Sequence, residues 1–339
     1  MSQHPKAVVD SPATAERGAR IMALVADRLS QVETMLRSQI AADIPFVVEA
    51  GRYLFDGGGK RVRPALLLLS AKLLDAETED DITYAAVVEL IRTTTLIRDD
   101  IIDDAATRRG QAALHRRCGN SRTVLLGDWL YTTSMRMALS HDRLGIVRRL
   151  CEAILRTTEG EVLVLERLGS LDVSRSEYFE IIERKTAYLF AAACSIPALK
   201  CETDLEARLA LEHYGRSLGR CFQLIDDVLD FSSDTALPRK PVLSDLVGGK
   251  LTLPLILLLP RIDSGRRRWI EWILEDRAFH RVEQHQILEL VQSEGTLDEV
   301  REIATAEASL AREALERFPA SPAREALELA PEFILNRRT

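Results

Sequence analysis

The sequence predicts an all-α protein that folds as one large helical unit. Apolar residues recur at three- and four-residue steps along most of the 339-residue chain, the period typical of amphipathic helices. Period-two alternation bounded by turn residues, which would predict strands, is hard to find anywhere. Because no low-complexity linker, internal repeat or composition shift divides the chain, we predict a single domain over residues 1–339, with a flexible segment at 1–17.

Proline and glycine mark the boundaries of the predicted helices. The first predicted helix covers 20–40, Pro45 opens the second, glycines at 57–59 break it, and Pro64 lies in the first turn of the next. The segment 79–104 follows, with acidic residues in its first turn. Further helices are predicted over 120–140, 143–168, 174–193, 203–231 and 246–259, and several amphipathic helices over 264–335.

Composition excludes several classes of protein. The formal net charge of −7 gives no reason to expect nucleic-acid binding. Five cysteines without CxxC spacing favour reduced thiols over a disulfide framework or a zinc site. The longest apolar stretch, 251–260, is too short to cross a bilayer and reads as a buried helix, so we expect no transmembrane segment and a cytoplasmic location.

An acidic cluster lies at the carboxyl end of the helix predicted over 79–104. The stretch "LIRDDIIDDAATRRG" (96–110) places acids four residues apart on two helical faces: Asp99, Asp100, Asp103 and Asp104. Like charges at this spacing cost about 0.2–0.5 kcal/mol per pair, and the helix dipole adds about 0.3–1 kcal/mol for each charge. A solvated helix end is the usual explanation for such acids, but isoleucines surround these, so a divalent cation would turn repulsion into coordination.

A second cluster repeats the Asp-Asp-x-x-Asp pattern. It lies in "CFQLIDDVLDF" (221–231), near the end of another long apolar helix, and consists of Asp226, Asp227 and Asp230. Two such motifs facing each other across a cleft could hold several Mg²⁺ ions that bridge one diphosphate.

Cations and polar groups recur beside both acidic clusters. Each group alone is weak evidence, because a basic loop before a helix is commonly solvated, but together they point to anionic ligands held with metal. The groups are Lys60, Arg61 and Arg63 in "GGGKRVRP", Arg108 and Arg109 after the first cluster, Lys185 and Thr186 in "ERKTAYLF", and Lys240 and Lys250 beyond the second cluster.

Taken in order, these segments resemble the trans-type polyprenyl diphosphate synthases, which join isoprenyl units head to tail. The resemblance covers about 45–260 and is carried by "GGKRVRP", "DDIIDDAATRRG", "KTAYLF", "FQLIDDVLD" and "DLVGGKLTLP". It implies an all-α bundle of the isoprenoid synthase type around a deep central cleft, usually in a homodimer. It also implies a reaction in which Mg²⁺ ions, three of them and replaceable by Mn²⁺, stabilise the diphosphate that leaves an allylic primer. The double bond of isopentenyl diphosphate attacks the resulting allylic cation, and a proton is then lost.

The resemblance assigns roles residue by residue. It implies metal ligands or their supporting residues at Asp99, Asp100, Asp103, Asp226, Asp227 and Asp230. It implies that Lys60, Arg63, Arg92 and Arg109 bind isopentenyl diphosphate, that Arg108, Lys185, Lys240 and Lys250 bind the allylic diphosphate, and that Thr186 and Gln223 position the reacting centre.

Several positions depart from the family pattern without removing a metal ligand. Arg92 and Arg98 replace histidines, Val164 replaces a common glutamine, and Arg239 and Leu243 replace glycines. Arg92 keeps a cation where isopentenyl diphosphate is contacted, so the departures bear on rate and primer choice rather than on the reaction itself.

The resemblance also bears on product length. A bulky residue four or five positions before Asp99 would stop elongation early, but Thr94 and Thr95 are small. We therefore expect a product of geranylgeranyl length or longer and a pocket floor deeper than these threonines. The candidates for the floor are Ile91, Val87, Met135 and Met137, each of which could equally be an ordinary packing residue.

Other functions remain open alternatives. A terpene cyclase of class I normally lacks the repeated aspartate motif and the second diphosphate site. A non-catalytic partner subunit of a prenyl synthase would be expected to have lost acids from one motif, and both motifs are intact here. A short-chain farnesyl synthase and a purely structural helical protein complete the alternatives, although the latter leaves the paired motifs unexplained.

Overall fold

The structure of this chain is a computed structural model that describes residues 12–40, 43–108, 110–232 and 241–337. Helices dominate it, which confirms the all-α prediction. The elements are α1 (Pro12–Ala23), α2 (Ala26–Gln39), α3 (Pro45–Asp56), α4 (Val62–Leu73), α5 (Asp80–Ile102), β1 (Thr107–Arg108), β2 (Gln111–Ala112), α6 (Leu114–Cys118), α7 (Asn120–Leu139), α8 (Leu144–Glu166), α9 (Arg175–Ile182), a π-helix (Glu183–Ala187), α10 (Tyr188–Lys200), α11 (Leu205–Leu229), α12 (Ser244–Val247), α13 (Leu253–Leu258), a 3₁₀ helix (Leu259–Arg261), α14 (Ser264–Asp276), α15 (Gln284–Ser293), α16 (Thr296–Glu313) and α17 (Pro322–Leu335).

The helix predicted over 20–40 is wrong in its extent. The chain is helical from Pro12, and it turns between Ala23 and Ala26 although no glycine or proline stands there. Each half packs against a different partner, since α1 lies on α17 and α2 lies on α5. The close approach of α1 to α17 depends on Gly18, where a Cβ would lie 2.8 Å from the Phe333 ring. Of the segment predicted to be flexible, 12–17 is therefore helical and 1–11 lies outside the described residues.

The helix predicted over 246–259 is also wrong, because it is interrupted. Helix α12 ends at Val247, and Gly249 has φ +82°, a left-handed conformation that glycine adopts readily and that ends a helix. Pro254 then lies in the first turn of α13, where its missing N–H costs no helical hydrogen bond. Most of the helical part of 251–260 is buried, as predicted, although Ile256 and Leu257 are half-buried and Pro260 is exposed.

The centre of the bundle is built from helices that are apolar on every side. Helix α10 is buried along almost its whole length and packs against α4, α8 and α11, while α5 packs against α2, α4 and α7. A helix buried all round needs no polar face, which explains the near-continuous apolar sequences "ALLLLSA" and "YLFAAACSIPAL". These central helices provide a rigid support for the polar ends of α5 and α11.

A smaller apolar cluster lies beside the main core. It is formed by residues of α12 to α15 and their connections, including Leu246, Ile270 and Ile287. Ile256 and Leu297 pack against both clusters. This shared packing supports our proposal that the chain forms one domain.

A short antiparallel hairpin follows α5 directly. Thr107 pairs with Ala112 and Arg108 pairs with Gln111, and Gly110 at the turn has φ +76°. The hairpin turns the chain back over the end of α5, so Arg108 faces the acidic cluster of that helix.

Among the described residues, no helix has the length and hydropathy that crossing a bilayer requires.

A buried ion pair links α5 to the end of α10 and leads to a stability prediction. Lys200 and Asp81 have side-chain exposures of 3% and 0%, and Lys200 Nζ lies 2.6 Å from Asp81 Oδ1. The same ammonium donates to the Ala76 carbonyl oxygen at 2.6 Å. Lys200→Met would leave the buried Asp81 charge with Arg28, 3.6 Å from Oδ2, as its remaining ion-pair partner, so we expect it to lower the free energy of unfolding by about 3 kcal/mol in urea denaturation.

The matched control is Lys72→Met. Lys72 pairs with Glu77 at 3.2 Å, but the side chains are 36% and 29% exposed, so we expect a loss of about 0–1 kcal/mol. Equal losses for the two variants would contradict the structural role assigned to the buried pair.

Candidate active site

The two predicted acidic motifs lie on the walls of one cavity of about 250 Å³. Helix α5 contributes Asp99 and Asp103, and α11 contributes Asp226 and Asp227. Eight further residues selected from the sequence line the same cavity, namely Arg63, Arg92, Thr95, Arg108, Lys185, Thr186, Gln223 and Lys250. The structure therefore brings together segments that are more than a hundred residues apart in the chain.

Two predicted metal-binding aspartates have protein partners of their own and do not line the cavity. Asp100 is bound by Arg108, whose Nε donates to Oδ1 at 2.8 Å and to Oδ2 at 3.0 Å. Asp230 accepts hydrogen bonds from the Ser244 hydroxyl at 2.6 Å and from the backbone N–H of Asp245 at 3.1 Å. Both carboxylates thus hold neighbouring segments against the site.

The predicted pocket residues Ile91 and Thr94 do not line the cavity either. Ile91 is 2% exposed and belongs to the main core. Thr94 faces α7, since a Cβ at Gly127 would lie 4.0 Å from its Cγ2 methyl. Of the three predicted chain-length residues, only Thr95 reaches the cavity, because successive helical residues point in directions about 100° apart.

Lys60 is exposed and is absent from the cavity lining, while Arg109 and Lys240 lie outside the described residues.

Asp99 is the least satisfied acid in the site. Its Oδ1 atom is buried and accepts no hydrogen bond from any residue that the structure describes. Burial raises the pKa of Asp99 to about 6, and the negative charges of Glu161 and Asp103 act in the same direction, against the lowering effect of Lys185. The charges of Lys185 and Arg98 therefore offset only part of the effect of burial on this carboxylate.

Asp227 on the opposite wall is held by a chain of hydrogen bonds. Its Oδ2 accepts from the Tyr178 hydroxyl at 2.6 Å and its Oδ1 accepts from Gln223 Nε2 at 2.8 Å. Gln223 Oε1 in turn accepts from the Thr186 hydroxyl at 2.8 Å. Burial, followed by the charge of Asp245, raises the pKa of Asp227 to about 8 despite these hydrogen bonds. The chain fixes the orientation of three side chains that the sequence predicted to act together.

Lysines pair with acids across the cavity. Lys185 Nζ lies 2.8 Å from Glu161, and Lys250 Nζ lies 2.7 Å from Asp103. Burial lowers the pKa of Lys185, but Asp99 and Glu161 together raise it above its usual value, so this ammonium keeps its proton. The lysines partly neutralise the acidic walls.

A second group of cations lies near the start of α4. The Arg63 guanidinium stands 4.3 Å from the centroid of the Phe190 ring. Burial, followed by the neighbouring charge of Arg92, lowers the pKa of Arg63 to about 9. Arg63 and Arg92 both line the cavity, and their charges repel each other, which favours a multiply charged anion bound between them.

Apolar side chains complete the lining. They include Leu96 of α5, Val164 of α8, Ile182 of α9, Leu189 of α10 and Phe222 of α11. The cavity therefore combines charged walls with an apolar region that suits a hydrocarbon chain.

The acids suit a metal that is bound together with another ligand. Among the described residues, no three His, Cys, Asp or Glu side chains are arranged to hold a metal ion by themselves. Mg²⁺ typically takes one or two carboxylates and completes its shell with waters and phosphate oxygens. The unpaired Asp99 oxygen and the raised pKa of Asp227 fit such a cation on either wall.

Sequence reasoning did not identify three residues that shape the site: Glu161, Tyr178 and Asp245. Asp245 stands within the recognised "DLVGGKLTLP" segment, and Glu161 stands within "EGEVL", so both could have been found as acids beside glycines. Tyr178 carries no local signal, since its partner Asp227 is 49 residues away.

Comparisons with known proteins agree with this geometry. The polyprenyl synthetase family matches residues 44–291. Octaprenyl diphosphate synthase of Escherichia coli is 35% identical over 91% of this chain and 95% of the relative. A short chain isoprenyl diphosphate synthase of Methanothermobacter thermautotrophicus is 34% identical over 86% of this chain and 90% of the relative.

Solved structures give the same result. The crystal structure of a polyprenyl synthase from Caulobacter crescentus, complexed with calcium and isoprenyl diphosphate, superposes with a TM-score of 0.89. It is 33% identical, and the match covers 95% of this chain and 98% of the Caulobacter chain. The family resemblance identified from the motifs is thereby confirmed. The chain belongs to the polyprenyl synthetase family of prenyltransferases.

Proposed function

We propose that this protein elongates an allylic diphosphate by Mg²⁺-dependent, head-to-tail condensation with isopentenyl diphosphate, giving a trans product of geranylgeranyl length or longer and releasing diphosphate. The observation that carries this proposal is the meeting of both acidic motifs with Lys185, Lys250 and the Arg63–Arg92 pair around one cavity. The relatives named above support prenyl chain elongation in general.

Asp99 and Asp103 on one wall and Asp226 and Asp227 on the other would hold the metal ions, three in number by the family resemblance and replaceable by Mn²⁺. When bound, Mg²⁺ supplies Lewis-acid stabilisation of the leaving diphosphate. Asp100 and Asp230 would support the walls through Arg108 and through the Ser244–Asp245 segment. The calcium bound by the Caulobacter relative supports a divalent cation here.

Two sets of cations would bind the two diphosphates. Lys185, Arg108 and Lys250 stand beside the acidic motifs and would bind the allylic diphosphate, together with Lys240. Arg63 and Arg92 would bind isopentenyl diphosphate, together with Lys60 and Arg109. Because the pKa of Arg63 is lowered only to about 9, its guanidinium remains a cation at neutral pH and attracts the second anion.

The remaining lining would orient and protect the reacting carbons. Thr186 and Gln223 are fixed by their hydrogen bonds to each other and to Asp227, so their oxygen atoms present a stable dipole to the reacting centre. Leu96, Leu189 and Phe222 would exclude water that could otherwise capture an allylic cation.

For product length, we propose that the chain grows past Thr95. Thr95 lines the cavity, and its hydroxyl donates to the Arg92 carbonyl oxygen at 2.8 Å, so it offers no bulk that would stop elongation. The floor would then lie deeper, where Ile91, Val87 and Met137 are buried.

We also propose that the protein forms a homodimer in the cytoplasm. Exposed apolar side chains on α7 and α8, including Val124, Leu125, Leu155 and Val162, support a face covered by a second copy. All five cysteines lie in the described residues as free thiols, which supports a reducing compartment.

The catalytic proposal is tested by Asp99→Ala in an elongation assay with labelled isopentenyl diphosphate, an allylic primer and Mg²⁺. Removing a carboxylate that holds metal against the leaving group is expected to lower kcat by at least about 10²–10³-fold. The control is Asp104→Ala, since the Asp104 side chain is 75% exposed and pairs with Arg116. We expect Asp104→Ala to retain most of the activity.

A folded wild-type protein that elongates no primer would refute the catalytic proposal and favour a non-catalytic partner subunit instead. Asp99→Ala with undiminished activity would refute the assignment of the first motif.

The length proposal is tested by Thr95→Phe. An aromatic ring at a cavity-lining position would obstruct the growing chain, so we expect the longest product to lose at least one isoprene unit while the first condensation persists. Chromatography of the dephosphorylated products measures this. Thr305→Phe on the exposed face of α16 is the control. An unchanged distribution of product lengths in Thr95→Phe would show that the growing prenyl chain does not pass Thr95.

A further inference from the structure

The element that carries Lys185 and Thr186 is a π-helix between α9 and α10. A π-helix is wider than an α-helix, is rare, and occurs mostly as single turns inside α-helices. Without the π-helix, the chain from 175 to 200 would run as one regular α-helix. Residues 185 and 186 would then face directions other than those they have in the structure. The orientation of both side chains therefore depends on what holds the wider turn in place.

Glycines on α8 and α11 allow both helices to lie directly against the backbone of this turn. A Cβ at Gly160 of α8 would lie 2.7 Å from the backbone nitrogen of Lys185, and a Cβ at Gly219 of α11 would lie 2.6 Å from Ala187 Cα. Real Cβ atoms essentially never approach other atoms so closely. Any side chain at either glycine must push the π-helix away from its neighbour.

Polar contacts reinforce the α11 side. Glu183 accepts from Arg216 at 3.1 Å and from Arg220 at 3.0 Å. Thr186, three residues later, donates to Gln223 at 2.8 Å. The first and fourth residues of the turn are thus tied to α11.

The two residues between them are tied to α8. Arg184 forms an ion pair with Glu159, and Lys185 lies 2.8 Å from Glu161. These two acids flank Gly160, so the glycine contact and both ion pairs lie on the same turn of α8. The π-helix is consequently held by both helices, with its first and fourth residues tied to α11 and its second and third residues tied to α8.

We propose that Gly160 and Gly219 are positioning residues that hold the π-helix between α8 and α11 and thereby fix Lys185 and Thr186 against the allylic diphosphate. This inference rests on the proposed function and assigns these glycines to the allylic subsite. The cations assigned to isopentenyl diphosphate, Arg63 and Arg92, lie on α4 and α5, and the atoms nearest a Cβ at Gly160 belong to Arg184 and Lys185 only. A Cβ at Gly219 would also lie 3.2 Å from Phe190 Cβ, and the Phe190 ring packs on Arg63, so Gly160 is the position that tests the allylic subsite alone.

The test compares Gly160→Ala and Gly219→Ala with wild type in both binding and turnover. Binding is measured by titration calorimetry in Mg²⁺, with farnesyl thiodiphosphate as an unreactive allylic ligand and with isopentenyl diphosphate alone. Turnover gives separate KM values for the two substrates. Gly145→Ala on α8 is the matched control, because a Cβ there meets nothing within 4 Å.

We expect both variants to weaken the allylic ligand and to lower kcat/KM for the allylic substrate by about 10–100-fold, the loss typical of a small displacement in a preorganised site. In Gly160→Ala, binding and KM of isopentenyl diphosphate should stay at the wild-type values, as should every property of Gly145→Ala. In Gly219→Ala, isopentenyl diphosphate should be weakened less than the allylic ligand, because only Phe190 links that glycine to Arg63. Equal weakening of both ligands, or no weakening of either, would overturn the inference.

A charge variant keeps the test decisive if an alanine variant does not fold. Glu183→Gln removes the ion pairs to α11 while Arg216 keeps Glu212 at 3.0 Å and Arg220 keeps Glu307 at 2.8 Å. We expect the same selective loss for the allylic ligand, smaller in size, and an unchanged allylic affinity would overturn the inference.

The wild-type measurement distinguishes failure of the proposed function from failure of this inference about the glycines. A wild-type protein that binds neither diphosphate would refute the proposed function together with this inference. If the wild-type protein binds both diphosphates and the variants show no selective loss of allylic affinity, the inference alone would be refuted.

Discussion

Repulsion among buried carboxylates is the constraint on which the rest of the site depends. Asp99 and Asp227 stand near the carboxyl ends of α5 and α11, where the helix dipoles disfavour negative charge, and burial raises the pKa of these groups to about 6 and about 8. The protein offsets part of the repulsion with its own cations, Lys185 and Lys250. Asp99 Oδ1 still accepts no hydrogen bond from the described residues, so the two walls suit divalent cations that are bound together with a polyvalent anion.

The architecture follows from the need to hold these charges in place. Helices that are apolar on every side along most of their length, such as α10, form a support, and the polar ends of α5 and α11 project from it into the cavity. The departures from regular helix serve the same end. The hairpin turns Arg108 onto Asp100, and the Gly248–Lys250 turn aims Lys250 at Asp103.

The fold class, the long helices and most of the charged residues of the cavity lining could be predicted from the sequence, because helical periodicity and paired acids are local signals. The break near Val25 and the π-helix could not, since they depend on which partner each helix packs against. The same limit applies to Tyr178, whose partner Asp227 is distant in the chain. Ile91 and Thr94 were assigned to the pocket from the family resemblance and their position before Asp99, and the packing of α5 on α7 directs Thr94 away from the cavity. Lys60, Arg109 and Lys240 stay predictions.

The central claim is that metal and diphosphate are bound as one unit between the two acidic walls. The measurement that tests it most directly is the thermal unfolding temperature of the wild-type protein with Mg²⁺ alone, with inorganic diphosphate alone in chelator, and with both. Ligands that bind only the folded state raise Tm, so the account predicts a shift with both together that exceeds the sum of the separate shifts. A shift with both that equals the sum of the separate shifts would contradict it.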